Sequence, residues 1–359
     1  MTLNIGIVGC GKIADGHVEE IQKLNCARVA AVCDLEPILA EQLASRYNIP
    51  HWYADFDRML TEQRLDVIHI ATPPHSHLAL ARKAAESGSH IVLEKPLALN
   101  AAEGRRLIEC VTRAGRKMTI NYWGNFETQA LALKDYVAKG EIGDPVHVES
   151  YYGYNLEDSF GIALLSDDRH WVHQLPGKLF QNVLDHAISR ITPFLPNKPT
   201  EVIARAYSGR LTGDFNSDAL LDELRVMIFA GGVSAYVTFC SNARPTSQFM
   251  RVYGTKNTVH VDYELRTMLV EERQTIPTAL GRLLPPYKSS WQLLRQATRN
   301  TREFASSRFH YFTGLNRLLS AFYQSILADT PPPIPCTEIL RVLEIMDDIS
   351  EQVYRLELV

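Results

Sequence analysis

A short glycine-rich turn between an apolar run and an amphipathic stretch constrains this chain more than any other feature. Ile5-Gly6-Ile7-Val8 reads as a buried strand, and Gly9-x-Gly11-x-x-Ala14 follows it and opens a helix. Gly9 permits the tight turn, Gly11 lets a pyrophosphate approach the backbone, and Ala14 lets helix and strand pack closely. Lys12 and Ile13 complete the turn, and the helix N-terminus offers N–H groups and a dipole that favour an anion. The next strand ends at Asp34, twenty residues after Ala14, where a carboxylate can accept from the hydroxyls of an adenosine ribose. The alternative is a structural glycine turn with a solvated Asp34. The order strand, turn, helix, strand, acid favours a dinucleotide. Asp34 repels a 2′-phosphate, and Leu35 and Glu36 follow it in place of a basic pair, so NAD is expected rather than NADP.

Short apolar runs alternate with amphipathic stretches through the first 120 or so residues. Strands are expected at Asn4–Val8, Arg28–Cys33, Val67–Ala71, His90–Leu93 and Met118–Asn121. The stretches between them read as helices, which implies right-handed βαβ units and a parallel sheet. Pro37 suits the first turn of a helix to Tyr47. A helix over His75–Ser87 ends at Gly88. Asn100 caps one running to about Ala114, with Glu103 in capping-box spacing. After about Asn125 the pattern changes. A helix near Thr128–Lys139 gives way to alternating strands at Val146–Tyr152, Glu201–Tyr207, Glu223–Phe229, Val233–Phe239, Phe249–Tyr253 and Val259–Tyr263. Gly231-Gly232 reads as a hairpin turn, and Gly254-Thr255-Lys256-Asn257 as another tight connection. Helical periodicity returns over Phe309–Asp329 and Pro335–Leu356. The expected fold is an N-terminal α/β Rossmann domain with a doubly wound parallel sheet over 1–122. An α+β domain with a large, mainly antiparallel sheet follows over 123–359.

Ligands of open α/β sheets bind beyond the C-terminal strand ends. Two loops there carry candidate residues. Ala71-Thr72-Pro73-Pro74-His75 stands at the C-terminal end of the strand Val67–Ala71, with Thr72, Pro73 and His75 as cofactor contacts; His77 reads as an ordinary polar first-turn residue. Glu94-Lys95-Pro96 follows the strand His90–Leu93, where a lysine can donate to a substrate oxygen beside a nicotinamide. A cis Lys95–Pro96 bond is one way to fix that turn, and a solvated loop lysine is the alternative reading. The net charge of −4 gives no reason to expect nucleic acid. Six scattered cysteines contain no CxxC pair, so no metal site is expected; Cys10 and Cys33 read as small core residues. The cysteines demand no oxidising compartment, and no basic, apolar leader precedes the first strand. A cytoplasmic location is therefore expected.

Together these elements resemble the Gfo/Idh/MocA family of oxidoreductases: Gly9-x-Gly11-x-x-Ala14, Asp34, Ala71-Thr72-Pro73-Pro74-His75 and Glu94-Lys95-Pro96-Leu97, with Gly140-x-Ile142-Gly143 resembling the connection into the second domain. The resemblance implies an NAD-dependent enzyme that transfers a hydride between nicotinamide and a hydroxyl or keto carbon of a sugar, sugar derivative or cyclic polyol. It implies a homodimer or homotetramer, and catalysis by Lys95 and His186. The family's second motif departs here: Asn182 stands where an Asp is usual, and Ser189 replaces a later Asp. Asn182 can orient a hydroxyl but cannot titrate. Asp185 is a minor candidate, since neighbours on a helix face different ways. Trp171 matches a family tryptophan, and Tyr122, Tyr152 and Tyr154 are candidates to line the substrate cleft. An NAD-dependent glycoside hydrolase and a non-enzymatic dinucleotide-binding regulator remain as alternatives.

Residues 280–310 stand apart. They carry six basic residues (Arg282, Lys288, Arg295, Arg299, Arg302 and Arg308) against one acid, Glu303, interleaved with Trp291, Leu294 and other apolar side chains. Such a segment suits peripheral membrane contact, a subunit contact, a diphosphate-bearing substrate, or simply a solvated helix with its apolar stripe turned inward.

Overall fold

In a computed structural model, residues 2–167, 169–209, 221–273, 278–307 and 309–354 are described, the side chains of residues 159, 160 and 278 excepted. Arg308 and Leu356 of the sequence reading lie outside them. The chain divides into two units: residues up to Trp123 with Gly314–Glu344, and Gly124–Thr313 with residues from Ile345 onward.

The first unit holds a six-stranded sheet in the order β3-β2-β1-β4-β5-β6. The strands are β1 (Leu3–Val8), β2 (Ala27–Cys33), β3 (His51–Tyr53), β4 (Val67–Ile70), β5 (His90–Leu93) and β6 (Met118–Ile120). All neighbours pair in parallel. This is the doubly wound order whose strands reverse direction of travel between β1 and β4, the place where such folds bind nucleotides. β4 is buried at every position, as a strand covered on both faces must be. The three-residue β3 at the sheet edge carried no legible sequence pattern. Where one helix over His75–Ser87 was expected, a 3-10 turn at Pro74–Ser76 precedes the helix His77–Glu86. Residues 314–344 differ from the expected division at 122/123 by grouping with this unit. Their reason is burial: Leu315, Leu318, Leu319, Phe322 and Tyr323 are all fully enclosed.

The second unit is built on seven strands in the order β13-β12-β11-β7-β10-β9-β8. They are β7 (Pro145–Gly153), β8 (Glu201–Tyr207), β9 (Glu223–Ala230), β10 (Val233–Cys240), β11 (Gln248–Gly254), β12 (Asn257–Asp262) and β13 (Thr267–Glu272). Only β7 and β10 pair in parallel, and the rest are antiparallel. Gly231 and Gly232 both have positive φ, 54° and 94°, as a two-residue hairpin turn of the favoured hand requires. Val226, Ile228, Ala235 and Val237 point inward, while Met227, Phe229 and Tyr236 are exposed. The helix Thr278–Ala305 follows β13 and packs on it. Its apolar residues are not turned inward as one reading expected: Tyr287, Trp291 and Leu294 are exposed.

Candidate functional site

The nucleotide end of the first unit is built from strand ends. Gly9 follows β1 with φ +91°, and a Cβ there would meet the Ala71 carbonyl oxygen at 2.6 Å, so glycine is required twice over. A Cβ on Gly11 would meet nothing within 4 Å. Gly11 opens the helix Lys12–Gln22, whose N-terminus no side chain caps. Ala14 is fully buried, as close helix–strand packing demands. Beside this turn lies a cavity of about 340 Å³ lined by Gly9, Gly11, Asp34, Leu35, Leu39, Phe56, Thr72, Pro73 and His75, among others. Its lining combines the backbone at Gly9 and Gly11 and the Asp34 carboxylate with apolar side chains. That is what a dinucleotide's adenosine and pyrophosphate need. Leu35, 90% exposed, entered the sequence reading only as a non-basic neighbour of Asp34, and Phe56, the buried first residue of the helix Phe56–Glu62, was not singled out because a lone apolar residue carries no signal.

Asp34 is held by the backbone. Its Oδ2 accepts from the Cys10 N–H at 2.7 Å and its Oδ1 from the Glu36 N–H at 2.9 Å. Each oxygen retains acceptor capacity for a ribose hydroxyl. Burial, with Asp34 adding to it, pushes the Cys10 thiol up to about 12, and Cys33 likewise. Both stay as neutral core thiols. Thr72 spends its hydroxyl on Ser76 Oγ at 2.6 Å, and Ser76 donates to the Pro73 carbonyl, which locks the loop. His77 is the clear correction to the sequence reading: it is not a polar surface residue but fully buried. Its Nδ1 lies 3.0 Å from the Leu97 carbonyl and its Nε2 2.8 Å from that of Thr72. It ties the two loops together. Burial lowers its pKa, although both carbonyls oppose this.

Glu94 and Lys95 follow β5, and the Lys95–Pro96 bond is cis. Glu94 is buried and clamped. Its Oε1 accepts from Asn121 Nδ2 at 2.5 Å and lies 2.8 Å from His17 Nε2, while its Oε2 accepts from the Lys95 N–H at 3.2 Å. Burial alone would raise the carboxyl's pKa, but His17, Asn121 and the Lys95 charge outweigh it and hold it below the usual range. Behind His17 the chain continues: His17 Nδ1 lies 2.7 Å from His69 Nδ1, and His69 Nε2 lies 2.7 Å from the Tyr323 hydroxyl. Burial, then the His17 charge, drives the pKa of His69 well below normal, so this ring is neutral with one N–H. The Tyr323 hydroxyl and His69 Nε2 share one hydrogen bond. The two Nδ1 atoms share one proton, and the Nε2 atom of His17 faces Glu94. The four groups form a buried hydrogen-bonded chain ending beside Lys95. Sequence reasoning missed His17, His69, Asn121 and Tyr323. His17 stands three residues after Ala14 on the same helix face, a signal that was available. The His69–Tyr323 contact spans 254 positions and was not.

Tyr122 also belongs to this unit and is buried. The remaining candidates lie in the second unit. Lys178–Val183 and Asp185–Ile191 are two short helices separated at Leu184. Asn182, Asp185 and Ser189 are buried, whereas His186 is half-buried. The His186 ring lies nearly parallel to that of Tyr152, 12° apart with centroids at 6.2 Å. The Ser189 hydroxyl donates to the His186 carbonyl, and the Ser189 carbonyl accepts from Asn125. Arg190 stacks on Tyr263 at 3.6 Å, reaches Tyr152 at 5.5 Å, and forks onto Gln248 Oε1. Burial raises the Tyr152 hydroxyl's pKa despite that guanidinium, so it remains a donor. Tyr154 and Trp171 are half-buried. No group of three or more His, Cys, Asp or Glu residues that could hold a metal occurs among the described residues.

This combination defines a dinucleotide-binding Rossmann unit with a lysine at its ligand-facing edge and a second, sheet-based unit carrying a half-buried histidine. Residues 3–122 match the family model described as "Oxidoreductase family, NAD-binding Rossmann fold", and residues 130–260 match the GFO/IDH/MocA C-terminal domain. The chain belongs to the Gfo/Idh/MocA family, and its cofactor is NAD. It is 30% identical over 158 residues to inositol 2-dehydrogenase of Salmonella typhimurium, a match covering 43% of this chain and 47% of that protein. The chain thus spans about half the length of such curated relatives. It is 26% identical to inositol 2-dehydrogenase 1 of Saccharopolyspora erythraea, over 78% of this chain and 75% of that one. Its fold matches that of the WlbA dehydrogenase from Bordetella pertussis, solved with NADH and UDP-GlcNAcA. The TM-score is 0.76 at 18% identity, covering 99% of this chain and 96% of that one.

Proposed function

We propose that this protein is an NAD-dependent dehydrogenase or reductase acting on a CH–OH or keto carbon of a sugar, sugar derivative or cyclic polyol. The observation that carries the reading is Lys95 at the C-terminal edge of the nucleotide-binding sheet, beside a buried Glu94 held by three separate donors. The bound nicotinamide supplies the hydride acceptor or donor. In the oxidising direction Lys95 hydrogen-bonds the reacting oxygen, and its charge favours the developing alkoxide. His186, whose imidazole lies nearly parallel to the Tyr152 ring, receives the hydroxyl proton. Asn182, buried and non-titrating, orients the helix turn and the substrate without exchanging a proton. Tyr154 and Trp171, half-buried, are the candidates to contact the sugar ring. Glu94, His17 and Asn121 are positioning residues that hold the Lys95 backbone and counter its charge.

Inositol dehydrogenases among the relatives, and sugar nucleotides bound to structural neighbours, support this substrate class. Asp34 supports NAD over NADP. The exposed apolar face of β8–β10, with Ile203, Met227, Phe229 and Tyr236, supports a homodimer or homotetramer joined through the sheet. Six thiols without a disulfide support a cytoplasmic setting. The test is nicotinamide absorbance across a panel of inositols, aldoses and sugar nucleotides. A net change with one class bears the proposal out. Glycoside release without a net change would mean a hydrolase, and binding of NAD with no reaction at all would mean a regulator.

A further inference from the structure

The helix Thr278–Ala305 has its amphipathicity reversed. The side facing the protein is polar. Gln292 pairs with Val270 of β13, accepting from its N–H at 2.9 Å and donating to its carbonyl at 3.0 Å. Gln296, one turn on, repeats this with Met268 at 2.6 Å in both directions. The two side-chain amides extend the hydrogen-bond ladder of the edge strand and so fix which side of the helix looks away. That outward side is apolar. Leu280, Leu284, Tyr287, Trp291 and Leu294 recur at alternating spacings of four and three and form one stripe. Tyr287 is 69% exposed, Trp291 61% and Leu294 66%. Cations border the stripe: Lys288, Arg295 and Arg302 lie along one flank, and Arg295 sits over the Trp291 ring at 5.7 Å. The sequence has no Asp or Glu from Gln274 through Arg302.

We propose that this stripe docks on the surface of an anionic lipid bilayer, with the helix lying in the plane of the interface. Reversed amphipathicity leaves a row of large apolar side chains in water, where a covering phase would stabilise it. The charge pattern selects the phase. Lys288 already pairs with Glu272 of β13 at 2.8 Å, and Glu303 is the one acid of the helix, so a second copy of the helix would still bring several more cations than acids to Arg295 and Arg302. Anionic headgroups answer Arg295 and Arg302, while the stems of the Arg side chains reach along the apolar zone and Trp291 sits at its polar boundary. None of the described helices is long and apolar enough to cross a membrane, so the contact is peripheral.

The experiment is co-sedimentation of the whole protein with phosphatidylcholine vesicles, with and without phosphatidylglycerol. The protein should pellet with the anionic vesicles, and raising the salt should release it. Trp291→Ser with Leu294→Ser should lower partitioning by roughly tenfold or more, and so should Arg295→Glu with Arg302→Glu. NAD binding should be unchanged in both variants, which shows that they fold. Wild type left in the supernatant at low salt would overturn the proposal. So would binding that survives the loss of Trp291 and Leu294, because charge alone would then be responsible. A self-association that vanishes in the same variants would assign the stripe to a second copy instead. Vesicle binding and nicotinamide reduction are separate readouts, so either result stands without the other.

Discussion

The two sheets offer function in opposite places. In the first, parallel sheet, β1, β4 and β5 are buried along almost their whole length. Helices cover both faces, and chemistry is confined to the strand ends. Gly9 stands after β1, Asp34 after β2, Thr72 after β4, Glu94 and Lys95 after β5, and Asn121 after β6. In the second sheet, β8, β9 and β10 alternate, so a whole face of Ile203, Met227, Phe229 and Tyr236 looks outward. A parallel sheet with crossover helices can present only an edge, whereas an antiparallel one can present a surface. The first arrangement suits a point of chemistry and the second an area of contact.

If strand ends carry the chemistry, the largest effect follows from removing it there. Lys95→Ala should cut turnover by roughly 10²–10⁴-fold with NAD affinity nearly intact. His186→Ala should do the same from the second unit, and near-normal turnover in either variant removes that residue from the mechanism. If the second sheet works as a surface, charges on it should act through assembly. Phe229→Glu with Met227→Glu should weaken subunit association by about 30-fold, the scale of a single interfacial hot spot. Analytical ultracentrifugation reads this, and a wild type that is already a monomer refutes the surface role.

A smaller effect tests cofactor choice. Asp34→Asn keeps an acceptor for the Cys10 N–H but removes the negative charge, so the preference for NAD over NADP should narrow by about tenfold. Equal titration curves for wild type and variant would show that Asp34 does not meet the ribose. Asp34→Ala is the poorer probe, because it also strips the Cys10 and Glu36 N–H groups of their acceptor.

The smallest effect concerns the buried chain behind Lys95. His69 and His77 have lowered pKa values in the folded state, so the unfolded chain binds more protons as pH falls. Their contribution is complete above the unfolded value of 6.5 and is lost progressively below it, at most by about 1.4 kcal/mol per pH unit for a histidine that stays neutral. Glu94, also lowered, acts in a separate window, below its ordinary 4.5. Urea unfolding between pH 7 and 5 should therefore show a slope that His69→Gln reduces by about one proton's worth. An unchanged slope would mean that His69 does not stay neutral.

The sequence by itself determined the parts of this protein that are local. Gly9, Gly11 and Ala14 are dictated by backbone conformation and close packing within a few residues, and Asp34 by its place at the end of the next strand. Gly231-Gly232 and the strands around it were legible because alternation and positive φ are properties of short windows. What only the tertiary structure decided is non-local. β13 was missed because its residues are half-exposed and lack clean alternation, and it exists because β12 pairs with it. His77 read as a surface residue because nothing nearby in sequence reveals that the Leu97 carbonyl, twenty positions away, encloses it. The chain from Tyr323 to Glu94 depends on a helix that arrives more than two hundred residues after β5. Even the orientation of the basic helix was undecidable from its periodicity. A hydrophobic stripe shows that one face is apolar, but it was the pairing of Gln292 and Gln296 with β13 that determined which face turned to the protein.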